Sequence, residues 1–286
     1  MPTTNDSRPA LLAGEDQVPG QSPGSRSLIG LSRETLVVRG LQVLLGLALI
    51  GLWQLAAVLK WPDPVLAKTP LQAWDYLVTT ARSGGLWSNT WATMSAVLIA
   101  WVLAGAAGMV AGLALGLMPR TERVLSPYLD AANAMPRIAL APLLIVALGI
   151  GTQAKVALAS TLVFFIVLSG ARAGVRSADA EWLRLSTVLG ARKHQLFFKV
   201  LLPVATPAIF AALRLGLIYS LLGVVGSELY SARDGLGQLI AYNSSIFQMD
   251  AVYGILLLLA VIAVALNQIM AFLERRLLRW QPSADR

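Results

Sequence analysis

Residues 41–59, LQVLLGLALIGLWQLAAVL, contain no charged side chain. A helix of this length crosses the hydrocarbon core of a bilayer, which takes about 20 residues. Lipid offers the backbone no hydrogen-bond partners, so a run of this kind is helical. Comparable apolar runs recur at about 91–117, 156–170, 204–226 and 251–273. A further one, 121–150, is broken by Pro127, Pro136 and Pro142 and carries Asn133 and Arg137. The chain therefore reads as an all-α polytopic membrane protein with about six transmembrane helices. Its composition agrees. Charged residues make up 13% of the 286, about half the share of a soluble globular chain. That argues against a soluble single-core enzyme, a disordered chain or a coiled coil.

The formal net charge is +8. In a soluble protein this would suggest nucleic acid. In a membrane protein it reflects Lys and Arg concentrated in cytoplasmic loops, and no nucleic-acid partner is expected. Basic residues cluster in residues 1–40, 118–137, 171–203 and the C-terminus. Of the 23 Lys and Arg, only Lys60, Lys68, Arg82, Lys155 and Arg233 fall on the other side, with Arg214 inside an apolar run. Both termini are accordingly expected in the cytoplasm. Residues 1–40 read as a disordered cytoplasmic tail, rich in Pro, Ser and Gly, without the apolar core of a signal peptide. Residues 281–286 read as a C-terminal tail, leaving 41–280 as the membrane domain.

Smaller features fill in the architecture. Trp53 and Trp61 suit a membrane interface. Leu71, Trp74, Leu77 and Val78 predict a short interfacial helix closed by Gly84-Gly85. Gly108, Gly112 and Gly116 share one helix face and predict a close helix–helix contact. There are no cysteines, which excludes disulfides and cysteine-based metal sites. The chain lacks the GxxxxGK[ST] phosphate loop, any catalytic triad and any metal-ligand cluster. His194 is its one histidine. No catalytic or metal-binding role is expected.

The longest charged interruption is 171–203, ARAGVRSADAEWLRLSTVLGARKHQLFFKVLLP. Trp182, Leu185 and Leu189 fall on one helix face, with polar residues on the others. Gly190 suits a helix end. A second helix is expected over 192–200, with Pro203 before the next span. On pattern alone this is either a docking segment for a partner or an ordinary interfacial loop helix.

The spacing resembles the coupling motif of binding-protein-dependent ABC importer permeases. That pattern runs Glu-Ala-Ala, three residues, Gly, nine residues, Ile, one residue, Leu-Pro. Here Gly190 is followed by nine residues, then Val200, Leu201, Leu202 and Pro203. The Glu-Ala-Ala positions hold Arg184, Leu185 and Ser186 instead, so the family's acidic contact at the first position is replaced by a positive charge. SPYLDAANAMPRIALAPLLIVALGIGTQAKV (126–156), SELYSARDGLGQLI (227–240) and LERRLLRW (273–280) also resemble signatures of the branch importing taurine, alkanesulfonates, nitrate and bicarbonate. The resemblance covers roughly residues 40–280.

It implies a type I ABC importer permease fold in the bacterial inner membrane. Two permease copies would form the pathway. Cytoplasmic ABC ATPase subunits would hold the ATP and Mg, with no cofactor on this chain. A periplasmic binding protein would deliver the solute, a small organic or inorganic anion such as a sulfonate or nitrate. The ATPase-coupling residues would be Trp182, Leu183, Leu185, Ser186, Leu189, Gly190, Ala191, Val200 and Pro203. Pathway or gate candidates are Asn133, Pro136, Arg214, Glu228, Gly235 and Gly237. Arg214 would pair with Asp130 or carbonyls, or attract an anion. Glu228, Arg233 and Asp234 would either gate the outer mouth or be solvated loop charges. Gly235 and Gly237 would form a re-entrant turn. The competing reading is an ion-gradient-driven transporter or channel, which needs ionisable groups within its spans.

Overall fold

The computed structural model describes residues 33–61 and 63–278, which are helical with no strand among them. The chain divides into two units, residues 1–49 and 50–286. Helix α1 (Arg33–Val58) begins in the first and ends in the second. The tail expected over 1–40 lies outside the described residues as far as residue 32. Residues 33–40 are already helical, because Leu36, Val37 and Val38 extend the apolar run with no proline to stop it. The expected tail 281–286 also lies outside the described residues.

Within the second unit, α2 (Pro70–Arg82) starts on a reciprocal cap. The Thr69 side chain accepts from the Gln72 N–H while the Gln72 side chain accepts from the Thr69 N–H. This satisfies donors that the first turn leaves free. Then come α3 (Gly85–Leu117), α4 (Pro119–Ala134), a 3-10 turn (Arg137–Leu140), α5 (Ala141–Leu148) and α6 (Thr152–Arg176). Next are α7 (Ala180–Val188), α8 (Lys193–Leu196), α9 (Leu202–Tyr230), α10 (Leu236–Ser245) and α11 (Met249–Leu277). Five described helices are long and apolar enough to cross a membrane, or six if α4 and the 3-10/α5 piece form one broken span. Those two pieces are bent by 79°. The bend follows from Pro136, which pushes Met135 into extended backbone (φ −66°, ψ 136°).

Helix α6 is the centre of the bundle, packed between α3 and α9. The glycine row predicted on α3 makes the first contact possible. A Cβ on Gly108 would lie 2.6 Å from the Phe164 carbonyl oxygen, and one on Gly112 would lie 2.8 Å from Ala171 Cβ. On the opposite face, a Cβ on Gly174 would lie 2.9 Å from the Ala205 carbonyl. Lipid is as apolar as the side chains, so close backbone packing of small residues holds such helices together. Val97, Ala100, Ala159, Leu217 and Val224 fill the remaining space. Trp101 and Ser220 add cross-helix hydrogen bonds to the Leu213 and Val97 carbonyls, both at 2.9 Å.

The 171–203 segment also departs from the sequence reading. The second helix of the 171–203 segment does not stop before Pro203. It runs on as one helix from His194 to Tyr230. A π-helical turn over Phe197–Leu201 absorbs the proline, with the Leu202 N–H donating to the Phe197 carbonyl. Widening the turn accommodates the missing N–H and bulky ring of Pro203 without breaking the helix.

Candidate functional site

The predicted docking segment is built as two short helices around Gly190. Asp179 Oδ1 accepts from the Glu181 N–H at 2.8 Å and starts α7. At the other end the Ala191 N–H donates to the Ser186 carbonyl at 3.0 Å, and Gly190 has φ +79°. That is the Schellman arrangement, in which a left-handed residue closes the helix and glycine carries least strain. The Arg192 N–H then donates to Gln195 Oε1 at 2.9 Å, opening α8. Leu185, Val188 and Leu189 protrude at this corner, with Val188 83% and Leu189 78% exposed. Arg184 is exposed and forms no ion pair among the described residues. Ala191 is half-buried and Leu201 is buried where α9 begins. The side chains of Trp182 and Leu183 lie outside the described residues.

The same end of the bundle carries an ion-pair cluster. Glu122, near the start of α4, is buried and meets Arg176 Nη2 at 2.5 Å and Arg172 Nε at 3.4 Å. Both arginines lie on the last turns of α6, directly before α7. The cluster therefore ties the first turn of the broken span to the helix that carries the docking segment.

The pathway candidates separate into three places. Asn133 and Pro136 sit at the 79° bend with Arg137. Arg137 Nη2 donates to the Asn133 carbonyl at 3.2 Å and to its Oδ1 at 2.5 Å. The guanidinium lies 4.5 Å from the centre of the Phe165 ring on α6. Arg214 is paired to α11, not to Asp130. Its Nε donates to Asn267 Oδ1 at 2.8 Å and its Nη1 lies 3.5 Å from Glu274 Oε2. The long side chain carries its charge one helix over and towards the α11 terminus, as cations inside spans commonly do.

Glu228, Gly235 and Gly237 belong to a third cluster, at the end of the bundle opposite α7. Glu228 is not a solvated loop charge. Its side chain is wholly buried, as is that of Lys155, and the two meet at 3.1 Å. Thr93 Oγ1 donates to the Glu228 carboxylate at 2.9 Å, and so does the Gly237 N–H. Lys155 Nζ also donates to the carbonyl and Oδ1 of Asp234, both at 2.6 Å. The Gly235 N–H donates to Asn89 Oδ1 at 2.7 Å. Four elements, α3, α6, α9 and the start of α10, are thus pinned by one polar knot. Gly235 has φ +116° and packs directly against the Glu228 carboxylate, so a side chain there meets both strain and a clash.

Sequence reasoning missed Lys155 as Glu228's partner and Glu122 as a buried acid. A signal existed for both. Lys155 opens one span and Glu228 closes another at the same end. A lone acid at the start of an apolar segment faces two arginines at the end of the next span.

A family model described as binding-protein-dependent transport system inner membrane component matches residues 104–279. The chain is 32% identical over 256 residues to the taurine transport system permease protein TauC of Escherichia coli (strain K12), covering 87% of this chain and 91% of TauC. It is 33% identical over 262 residues to the riboflavin transport system permease protein RibX of Chloroflexus aurantiacus, covering 92% and 96%. Among solved structures, an inward facing conformation of the MetNI methionine ABC transporter superimposes with a TM-score of 0.58 at 20% identity, covering 67% of this chain and 96% of that one. That likeness supports the all-helical permease fold.

Proposed function

The chain belongs to the family of binding-protein-dependent transport system inner membrane components, and from that premise we propose that it forms half of the pathway of an ATP-driven importer. Two copies enclose the pathway in a lipid bilayer. The end carrying α7 faces the cytoplasm, where the Lys and Arg loops concentrate. The Lys155–Glu228 end faces the periplasmic binding protein.

The observation that carries this reading is the corner at Gly190. Leu185, Val188 and Leu189 are exposed apolar side chains on a capped, rigid turn, between two helices that run into the bundle core. Exposed apolar knobs in a charged loop call for a partner. An ATPase cleft that grips this corner would move α6 and α9 with it. Coupling then has a simple physical form. Nucleotide binding brings the two ATPase subunits together and draws the paired corners inward. The equilibrium shifts between inward-facing and outward-facing bundles, and hydrolysis resets it. The chemistry of ATP and Mg stays on the partner, because this chain carries no phosphate loop.

For the solute we propose a small sulfonate or similar oxyanion. The similarity to TauC supports it. The similarity to RibX shows how far solutes differ among relatives of equal identity, which suits an architecture where the binding protein selects the solute. The test is co-purification. Tagged chain from its own host should retain an ABC ATPase, and Val188→Asp with Leu189→Asp should release it while the permease stays folded. Retention unchanged by that pair of substitutions would refute the docking role.

A further inference from the structure

Lys155, Arg214 and Arg137 each stand within an apolar segment, and the first two are paired. Lys155 meets Glu228 and Asp234, and Arg214 meets Glu274 and Asn267. Arg137 forms no ion pair among the described residues. It is also deep. It stacks on Phe165, which lies about 20 Å along α6 from Thr152 and about 17 Å from Arg176 at 1.5 Å per residue. An unpaired arginine at mid-span is costly in lipid, and such residues face water or a ligand.

Two further observations place it there. The break at Pro136 interrupts a helix at membrane depth, which is tolerated only inside protein or beside a water-filled cavity. Beside it, α3 and α6 line an open, mostly apolar groove of about 420 Å³, with Phe165, Ser160 and Thr161 among its lining residues. The guanidinium stacks on Phe165, which lines that groove. Only Nη2 is engaged, by Asn133, and the Phe165 face supports the plane. Nε and Nη1 donate to no described residue. A planar cation held from behind with free N–H groups is suited to bind a sulfonate or related oxyanion through two oxygens.

We propose that Arg137, positioned by Asn133 and Phe165, is an anion-binding residue inside the translocation pathway, taking the sulfonate-class headgroup of the passing solute. The proposal rests on the importer reading for its pathway, but its test does not. The chain has no cysteine, so one introduced thiol is the single labelling site on this chain, read after the tagged chain is isolated. Thr161→Cys is made in the full-length chain and kept in native membranes with its assembled subunits. It is labelled with 2-sulfonatoethyl and with 2-trimethylammonioethyl methanethiosulfonate, each rate divided by that reagent's rate with a free thiol. The local field should favour the anionic reagent by about tenfold. Arg137→Gln should abolish the preference, and Arg137→Lys should keep most of it. Equal normalised rates with Arg137 present, no labelling by either reagent, or a preference unchanged by Arg137→Gln would each overturn the site. The comparison with Arg137 intact decides even if a variant misfolds. If the anion preference holds while no ATPase co-purifies, the importer reading fails and the anion site stands. If ATPase retention holds without the preference, the reverse is true.

Discussion

Replacing Lys155 by Met removes the ammonium from a wholly buried carboxylate, and the two possible single substitutions should not cost the same. At the 3.1 Å separation of Lys155 and Glu228, an effective dielectric of about 20 gives an attraction of about 5 kcal/mol. Breaking a buried pair from one side costs about 3–5 kcal/mol, because the other charge stays buried. With Lys155→Met, Glu228 keeps the Thr93 hydroxyl and the Gly237 N–H but loses its one cation. The expected loss is about 4 kcal/mol. With Glu228→Gln, Lys155 still holds Asp234 at 2.6 Å, and Gln still accepts from Gly237. The expected loss is about 2 kcal/mol, close to that of a charge-assisted hydrogen bond. Lys155→Met with Glu228→Gln removes both charges of the pair and should cost no more than about 3 kcal/mol, a coupling of about 3 kcal/mol. Thermal unfolding in lipid nanodiscs reads this directly. Lys155→Met should lower the midpoint on the order of 10 °C, and the double variant should recover part of that. Equal losses for the two singles, or a double variant equal to their sum, would refute the argument that the pair is a single coupled clamp on α10.

The remaining predictions concern packing and the docking corner. Gly112→Leu should prevent folded accumulation, since even a Cβ would press on Leu168 and Ala171 of α6, whereas Gly226→Ala meets nothing within 4 Å and should be neutral or stabilise by about 0.5–1 kcal/mol; nanodisc melting curves compare them. Gly190→Ala puts a Cβ at φ +79° and should cost about 1 kcal/mol at the corner. Its readout is weaker stimulation of partner ATP hydrolysis by the binding protein, with the melting midpoint nearly unchanged. Arg214→Met removes the cross-link to Glu274 and Asn267 and, the pair being half-exposed, should cost only about 1 kcal/mol, measured by the same melting assay.

Much of the fold was legible because its determinants are local. Apolar runs gave the spans, the α3 glycine row gave a close helix–helix contact, Gly84-Gly85 closed α2, and the prolines of 121–150 marked a broken segment. Gly190 as a helix end was legible for the same reason. Pro203 was misread as a stop because a proline can also be absorbed by a widened turn, and only the surrounding packing decides which. The partners of Glu228, Arg214 and Glu122 were not legible. Each lies on another helix, and pairing across a bundle depends on rotations about the helix axes that the apolar pattern leaves open. Arg137 shows a mixed case. Its position within a broken apolar segment was visible, while its lack of a carboxylate partner and its stacking on Phe165 emerge only from the packed bundle.

The buried charges sharpen the contrast with an ion-gradient transporter, which also places ionisable groups within its spans. Here Lys155, Glu228 and Asp234 satisfy one another, and the account assigns the driving force to ATP on a partner. The measurement that separates the two is solute uptake into vesicles holding the permease, its ATPase and its binding protein. The solute used is the one that most raises the melting temperature of that binding protein. The account predicts uptake that requires ATP and the binding protein and persists when ionophores collapse the proton and sodium gradients. Uptake that continues without ATP, or that ionophores abolish while ATP is present, would contradict it.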